Sequence, residues 1–324
     1  MTRLVIITIV QKSMTNLIYK LKFIFSNPLS IFKKTLLNSL SLIGSITTLF
    51  SILDSIYQSN FHIQMLSTNI QWFVCGCLFF SFIISINWIP SISCKINNID
   101  SILSVKVGDI TKEKKSIIIS TNTSFVTSMQ NGIISKDSVQ GKFQNTFFKD
   151  KTSELDNLIR DGLKNFESKG TLTLNLDNQQ QEFPIYDVGT VSKFTHGGRN
   201  IYFLALNNIN SSGQNSSRSE EDFYTALSQL WEYLKCNGNT EEVSIPLIAS
   251  GHAGISSITK ERAIKDIVES YIGQAQNSKI LTKLTIYIYP KDLQFIDIKK
   301  IKQFISTKCL FSEPNKLIHG TIEM

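Results

Sequence analysis

The chain has 324 residues, 42% of them hydrophobic, and carries a formal charge of +7 from 33 Lys and Arg against 26 Asp and Glu. Its five cysteines are scattered without a CxxC pair, which excludes a zinc ribbon and a disulfide framework and fits a reducing cytoplasm. The basic excess sits mostly near the N-terminus and in Lys291–Lys308, with no aromatic-basic stripe or finger spacing, so nucleic acid is not an expected partner.

Residues 1–34 form a basic N-terminal segment. Arg3, Lys12, Lys20, Lys22, Lys33 and Lys34 meet no acidic residue there, and Leu4–Val10 is a short apolar run without a cleavage site behind it. The mixture of Lys with Leu, Ile and Phe over 11–34 suits either an amphipathic helix at an anionic membrane surface or a flexible basic leader.

Two uncharged apolar stretches follow. Leu36–Leu53 and Ile70–Ile89 are each about long enough to cross a hydrocarbon core of ~30 Å at 1.5 Å per residue. Their Leu, Ile, Phe and Val residues favour insertion by about 0.3–0.6 kcal/mol apiece. We therefore expect a first transmembrane helix over 35–57, an extracytoplasmic connector over 58–69, a second transmembrane helix over 70–90 and a linker over 91–101. Asp54 is expected at the end of the first span, within reach of the headgroups. Lys and Arg flank both outer ends and are absent from the connector, which predicts an inner membrane protein with both termini cytoplasmic. Ser39, Ser41, Gly44, Ser45, Thr47, Thr48 and Ser51 are small enough for close helix packing in a homo-oligomer.

From 102 to 324 the pattern alternates strands and helices and predicts one three-layered α/β domain. Strands are expected at Ser116–Ser120, Thr171–Leu176, 183–188, Ile201–Leu206, Val243–Ile248 and Leu284–Tyr289. Helices are expected at Ser153–Lys169 with a Ser153/Asp156 capping box, after Ser219 with an Asp222 box, at Thr259–Ile272 and at Asp292–Ser306.

Two places in this domain suit a ligand. Ile245–Ile255 (IPLIASGHAGI) runs from a strand through a small-residue loop towards a helix, where closely approachable backbone N–H groups and a helix N-terminus favour an anion. Val107–Phe125 places Asp109 and Ile110 before a buried strand and Asn122 just after it, at the carboxyl end where open α/β sheets bind ligands. A turn role for Asp109 and a strand-end cap for Asn122 account for the same residues.

Gly108-Asp109-Ile110-Thr111 followed by a strand and Asn122-Thr123-Ser124-Phe125 resembles the opening of a macro domain, the ADP-ribose-binding fold. Pro246–Ile255 resembles that fold's diphosphate loop. The resemblance implies a three-layer α/β/α domain with a mixed sheet. It implies that Asp109 and Ile110 meet the adenine, that Asn122 lies near the distal ribose, and that Ser250, Gly251, His252, Ala253, Gly254 and Ile255 hold the diphosphate. Macro hydrolases follow the asparagine with a run of glycines, whereas Phe125–Ile134 contains only Gly132. A binding module without a catalytic residue or a cofactor is therefore expected. Phe125, Thr190, His196 and Arg199 are candidates for reading the ligand's terminal group.

Two membrane helices ahead of a divergent macro domain resemble the membrane effector of type II Thoeris anti-phage systems. That resemblance implies a small nucleotide signal, a histidine–ADP-ribose conjugate made by a TIR-domain partner, as the ligand. It further implies that the sensed signal assembles the membrane part, disrupts the lipid bilayer and ends in abortive infection. A membrane-tethered ADP-ribosyl hydrolase and a tethered reader of ADP-ribosylated proteins are the competing expectations.

Overall fold

The computed structural model describes residues 28–57, 61–86, 91–176, 179–214, 216, 219–248, 255–276 and 278–312. The chain divides into two compact units, Met1–Ile89 and Pro90–Met324.

In the first unit, helices α1 (Pro28–Tyr57) and α2 (Phe61–Ile86) pack against each other. Within α1, Thr35–Ile56 spans 22 residues with a mean hydropathy of 1.7, long and apolar enough to cross a membrane. Several of its hydroxyls are satisfied within the helix. Ser39 donates to Thr35 O at 2.9 Å, Ser45 to Ser41 O at 2.9 Å, and Thr48 to Gly44 O at 2.7 Å, returning each O–H to the preceding turn. Among the described residues the apolar part of α2, Ile70–Ile84, is shorter. Leu37, Trp72 and Phe79 are exposed, whereas the buried positions are small or polar: Ser39, Asp54, Cys77 and Ser81. Asp54 is 8% exposed and lies two residues from the end of the span Thr35–Ile56. The helices overrun the expected bounds. Pro28 opens α1 inside the basic segment, since proline is tolerated in a first helical turn. Phe61 opens α2 inside the expected connector, where no glycine or proline interrupts residues 61–69.

The second unit is built on a seven-stranded sheet in the order β1-β2-β9-β8-β3-β7-β6, with a separate β4-β5 hairpin. The strands are β1 Ser91–Lys95, β2 Ile102–Val107, β3 Ser116–Asn122, β4 Gly170–Leu176, β5 Gln179–Ile185, β6 Val191–His196, β7 Arg199–Asn207, β8 Glu242–Pro246 and β9 Lys283–Ile288. β2, β9, β8, β3 and β7 run parallel. The edges β1 and β6 are antiparallel. The expected linker is therefore an edge strand: Ser91–Lys95 pairs along β2 from Ser91↔Lys106 to Lys95↔Ile102. Burial of Ile92 on that edge, at 5% exposure, is what the apparently polar SISCK segment contributes.

Helices cover both faces. On one lie α5 (Glu220–Asn237), α6 (Lys260–Ala275) and α7 (Ile298–Leu310), whose Phe223, Trp231, Ile264, Tyr271 and Ile301 share a core with Ile118, Tyr202 and Leu204 of the sheet. On the other lie α3 (Val139–Phe147) and α4 (Thr152–Gly162), which bring Phe143, Leu155 and Ile159 against Ile117, Ile119 and Phe203. Burying one such side chain contributes about 1.5–3 kcal/mol, so two continuous apolar faces on one sheet suffice to order these layers. The Ser219/Asp222 capping box forms as expected at α5.

Two expected helices differ. The helix at 153 ends at Gly162, not Lys169, because β6 crosses there: a Cβ on Gly162 would meet Ser192 Oγ at 2.4 Å. Asp156 does not cap that helix; its carboxylate accepts from Thr127 Oγ1 at 2.5 Å. The expected Asp292–Ser306 helix is a short 3-10 turn, Pro290–Phe295, followed by α7, which Asp297 caps through Lys299 N and Lys300 N.

Candidate functional site

The carboxyl ends of the parallel strands gather the candidate residues at one sheet edge. β2 ends at Val107 and leads into Gly108, whose N–H donates to Ile288 O at the end of β9. Asp109 then caps a 3-10 turn, Ile110–Lys112: its Oδ1 accepts from Thr111 N at 3.1 Å and Thr111 Oγ1 at 2.8 Å. Ile110, at 4% exposure, anchors this turn in the core beside Phe125 and Tyr287. Beneath it the Tyr287 O–H donates to Glu113 at 2.5 Å. Burial and that carboxylate push the Tyr287 phenol up. Burial opposes ionisation of Glu113, but the Tyr287 hydroxyl, the Lys115 and Lys114 N–H groups and nearby Lys106 outweigh it and hold the carboxyl below its usual range. The turn that presents Asp109 therefore stands on a charged, hydrogen-bonded footing.

Asn122 ends β3 and is 3% exposed. Its side chain is engaged by its own loop: Oδ1 accepts from Ser124 N at 3.1 Å and Val126 N at 3.0 Å, and Nδ2 donates to Val126 O at 3.2 Å. The brace holds Phe125 at φ 51°, a left-handed conformation that a bulky residue adopts only when its surroundings impose it. Phe125 packs edge-on against Tyr186 with ring centroids 5.6 Å apart. Gln144 donates to Thr127 O at 2.9 Å, so helix α3 fixes the loop from the other side. Burial raises the Asp156 carboxyl, and its hydrogen bond from Thr127 ties it to the same loop. The strand-end role for Asn122 is thus what the geometry displays. Asn122→Ala removes all three braces from a buried loop, and we expect a loss of about 1–3 kcal/mol of stability. Urea unfolding of the full chain measures it; an unchanged midpoint would contradict the brace.

A third apolar cluster lies over this loop. Val126, Ile133 and Ile134 pack with Leu172, Leu174 and Leu176 of the β4-β5 hairpin. The segment after β7 joins them: a Cβ on Gly213, which has φ 75°, would meet Ile133 Cγ1 at 2.5 Å. No side-chain group of three or more His, Cys, Asp or Glu capable of holding a metal occurs among the described residues.

Ser250, Gly251, His252, Ala253 and Gly254 lie outside the described residues. Both flanks are placed. Ile248, at 2% exposure, and Ile255, at 8%, insert into the same core. A turn closed by Ile258 N to Ile255 O at 3.0 Å separates Ile255 from helix α6, which Thr259 caps. The helix therefore begins where the sequence placed it, at Thr259, and runs on to Ala275 rather than stopping at Ile272.

The candidates for a terminal-group reader divide. Phe125 is at the edge with Asn122, and Thr190 pairs through its carbonyl with Ala205 N near the end of β7. His196 and Arg199 pair with each other where the β6-β7 hairpin turns, at the start of β7. Eight residues of strand, about 26 Å at 3.3 Å each, separate the backbone of Arg199 from that of Asn207, but the Arg199 guanidinium donates to Thr111 O at 3.4 Å, on the turn that Asp109 caps. Arg199 lies over Phe147 at 5.1 Å and His196 against Phe148 at 4.6 Å. Sequence reasoning missed Asn207, which ends β7 as Asn122 ends β3.

With this geometry in place, the family model described as Thoeris protein ThsA, Macro domain, matches residues 103–289. Among solved structures, a mutant of the Oceanobacillus iheyensis macrodomain is 17% identical, covering 68% of this chain and 96% of its own, with a TM-score of 0.48. The Oceanobacillus iheyensis macrodomain with ADP is 16% identical over 69% of this chain and 97% of its own, with a TM-score of 0.44. The macrodomain of Thermus aquaticus DarG is 10% identical over 57% of this chain and 99% of its own, with a TM-score of 0.36. No curated protein matches the chain.

Proposed function

This chain belongs to the Thoeris ThsA family through its macro domain, an ADP-ribose-binding fold, and on that premise we propose that it is a ligand-gated membrane effector of anti-phage defence. The signal is an ADP-ribose derivative of the histidine–ADP-ribose type, produced from NAD by a TIR-domain partner. Its binding drives the helix pair to associate in the bacterial inner membrane, with both termini cytoplasmic, and the lipid bilayer is breached, ending in growth arrest or death.

One observation carries the reading. A single chain joins a macro domain to a helix pair in which Thr35–Ile56 is long and apolar enough to span a bilayer, with Leu37, Leu40, Leu49 and Ile52 exposed. Gating requires the ligand to bind the assembled state more tightly than the resting one, because equal affinity shifts nothing. In the site, Asp109 and Ile110 take the adenine, Asn122 and its braced loop face the sugar beyond the phosphates, and residues 250–255 hold the diphosphate.

Binding without turnover is supported by the state of the loop after β3. The Asn122 amide is occupied on both atoms, and Asp156 accepts a hydrogen bond from Thr127. Calorimetric titration of the full chain in detergent with ADP-ribose, alongside incubation with ADP-ribosylated protein, tests the proposal. Saturable binding without release of ADP-ribose is expected. Turnover that disappears in Asn122→Ala would replace the sensor with a tethered hydrolase, and capture of modified protein without response to free nucleotide would make it a reader.

A further inference from the structure

The sheet edge that carries Asp109 and Asn122 holds one more side chain that the fold leaves unused. Asn207 is the last residue of β7 and pairs with Asn122 across the strands. Its backbone is employed, since its carbonyl accepts from Thr123 N at 2.8 Å. The next side chain is employed too: Asn208 Oδ1 accepts from Thr123 Oγ1 at 2.9 Å. The Asn207 side-chain oxygen, by contrast, is buried and accepts no hydrogen bond. Folded proteins rarely keep such an acceptor unpaired, because removing it from water is unfavourable unless a donor replaces the water. Thr121 Oγ1 and Gln144 Oε1 are also unpaired, but they belong to residues 2% and 5% exposed in the interior of β3 and α3. Asn207 is only half-buried and ends its strand, at the carboxyl edge of the sheet.

The strand order tells which part of a ligand that would be. From β2 to β7 the sheet takes four steps, through β9, β8 and β3, or about 19 Å at ~4.8 Å each. Adenine at Asp109 after β2 and diphosphate at the loop after β8 leave the ends of β3 and β7 for whatever lies beyond the phosphates. We propose that Asn207 Oδ1 accepts a hydrogen bond from a hydroxyl of the sugar attached to the distal phosphate, so that Asn207 discriminates ADP-ribose-type ligands from ADP. This rests on the nucleotide reading of the site and adds a residue to it.

Asn207→Leu, close in size and without polar atoms, tests it in the full chain by calorimetric titration with ADP-ribose and with ADP, paired with a thermal melt. The ADP-ribose dissociation constant should rise by about tenfold or more, the loss of one buried hydrogen bond, while that for ADP stays within twofold. The melting temperature should hold or rise, since an unpaired acceptor is removed. Asn207→Ala, with the same binding pattern expected, serves if the leucine variant does not melt cooperatively. Unchanged ADP-ribose affinity, or equal losses for both nucleotides, would overturn the assignment of Asn207 while leaving the site in place. Wild-type chain that binds neither nucleotide would instead overturn the nucleotide site, and Asn207 with it.

Discussion

Gly251→Val and Gly254→Val each weaken ADP-ribose binding by about a hundredfold or more, equivalent to roughly 3 kcal/mol, and leave the domain folded. A diphosphate held by backbone N–H groups requires the backbone to approach it closely, and a branched side chain at either glycine stands in that gap. The residues on either side, Ile248 at 2% and Ile255 at 8% exposure, insert into one core. Those anchors are why folding survives, because neither substitution touches them. Calorimetry measures the affinity and a thermal melt the fold. Full affinity in either variant would remove the diphosphate assignment from residues 250–255.

Removing residues 1–89 abolishes toxicity in cells that supply the nucleotide signal, while ligand binding persists. The cut follows the division of the chain at Ile89 and Pro90. What remains keeps β1, which begins at Ser91 and pairs with Lys106, so no strand edge of the sheet is lost. What is removed includes the span Thr35–Ile56. Ser91 pairs with Lys106 near the end of β2, from which Gly108 and Asp109 follow. Colony counts with and without the signal read the outcome. Undiminished killing by the fragment would disconnect the effect from the membrane.

Much of the domain was legible because its strands are short β-branched runs buried on both faces: Ile117–Ile119 and Ile201–Leu206 are at most 4% exposed. The capped helix α5 announced itself through Ser219 and Asp222 because that cap is local. What stayed hidden depended on distant contacts. Ser153 and Asp156 mimic a capping box, but Asp156 serves Thr127 in a loop remote in sequence. The end of α4 at Gly162 is set by β6 crossing over it, which no local pattern encodes. β1 is an edge strand visible only through its register with β2. β6 had a local signal that was passed over: Gly197 and Gly198, with φ 60° and 74°, make the two-residue turn that hairpins favour.

The site divides in the same way. Asp109, Asn122 and Ile255 stand out in the sequence because polar residues after strands and glycine-rich turns are local features. That the Asn122 amide is spent on Ser124 and Val126, and that Asn207 ends the neighbouring strand with an unpaired oxygen, both require the folded loop and the sheet pairing. His196 and Arg199 sit at the β6-β7 turn, and the reach of the Arg199 guanidinium to Thr111 O is visible only in the folded chain.

The most direct measurement of the coupling uses the full chain reconstituted in anionic lipid vesicles loaded with a self-quenching dye. Histidine–ADP-ribose, ADP-ribose and AMP are added in turn, with nucleotide binding titrated on the same preparation. Dye release should follow occupancy by an ADP-ribose-type ligand and should be absent with AMP. Release that is identical with and without nucleotide, or none at saturating histidine–ADP-ribose and ADP-ribose, would contradict the claim that this pocket governs the membrane helices.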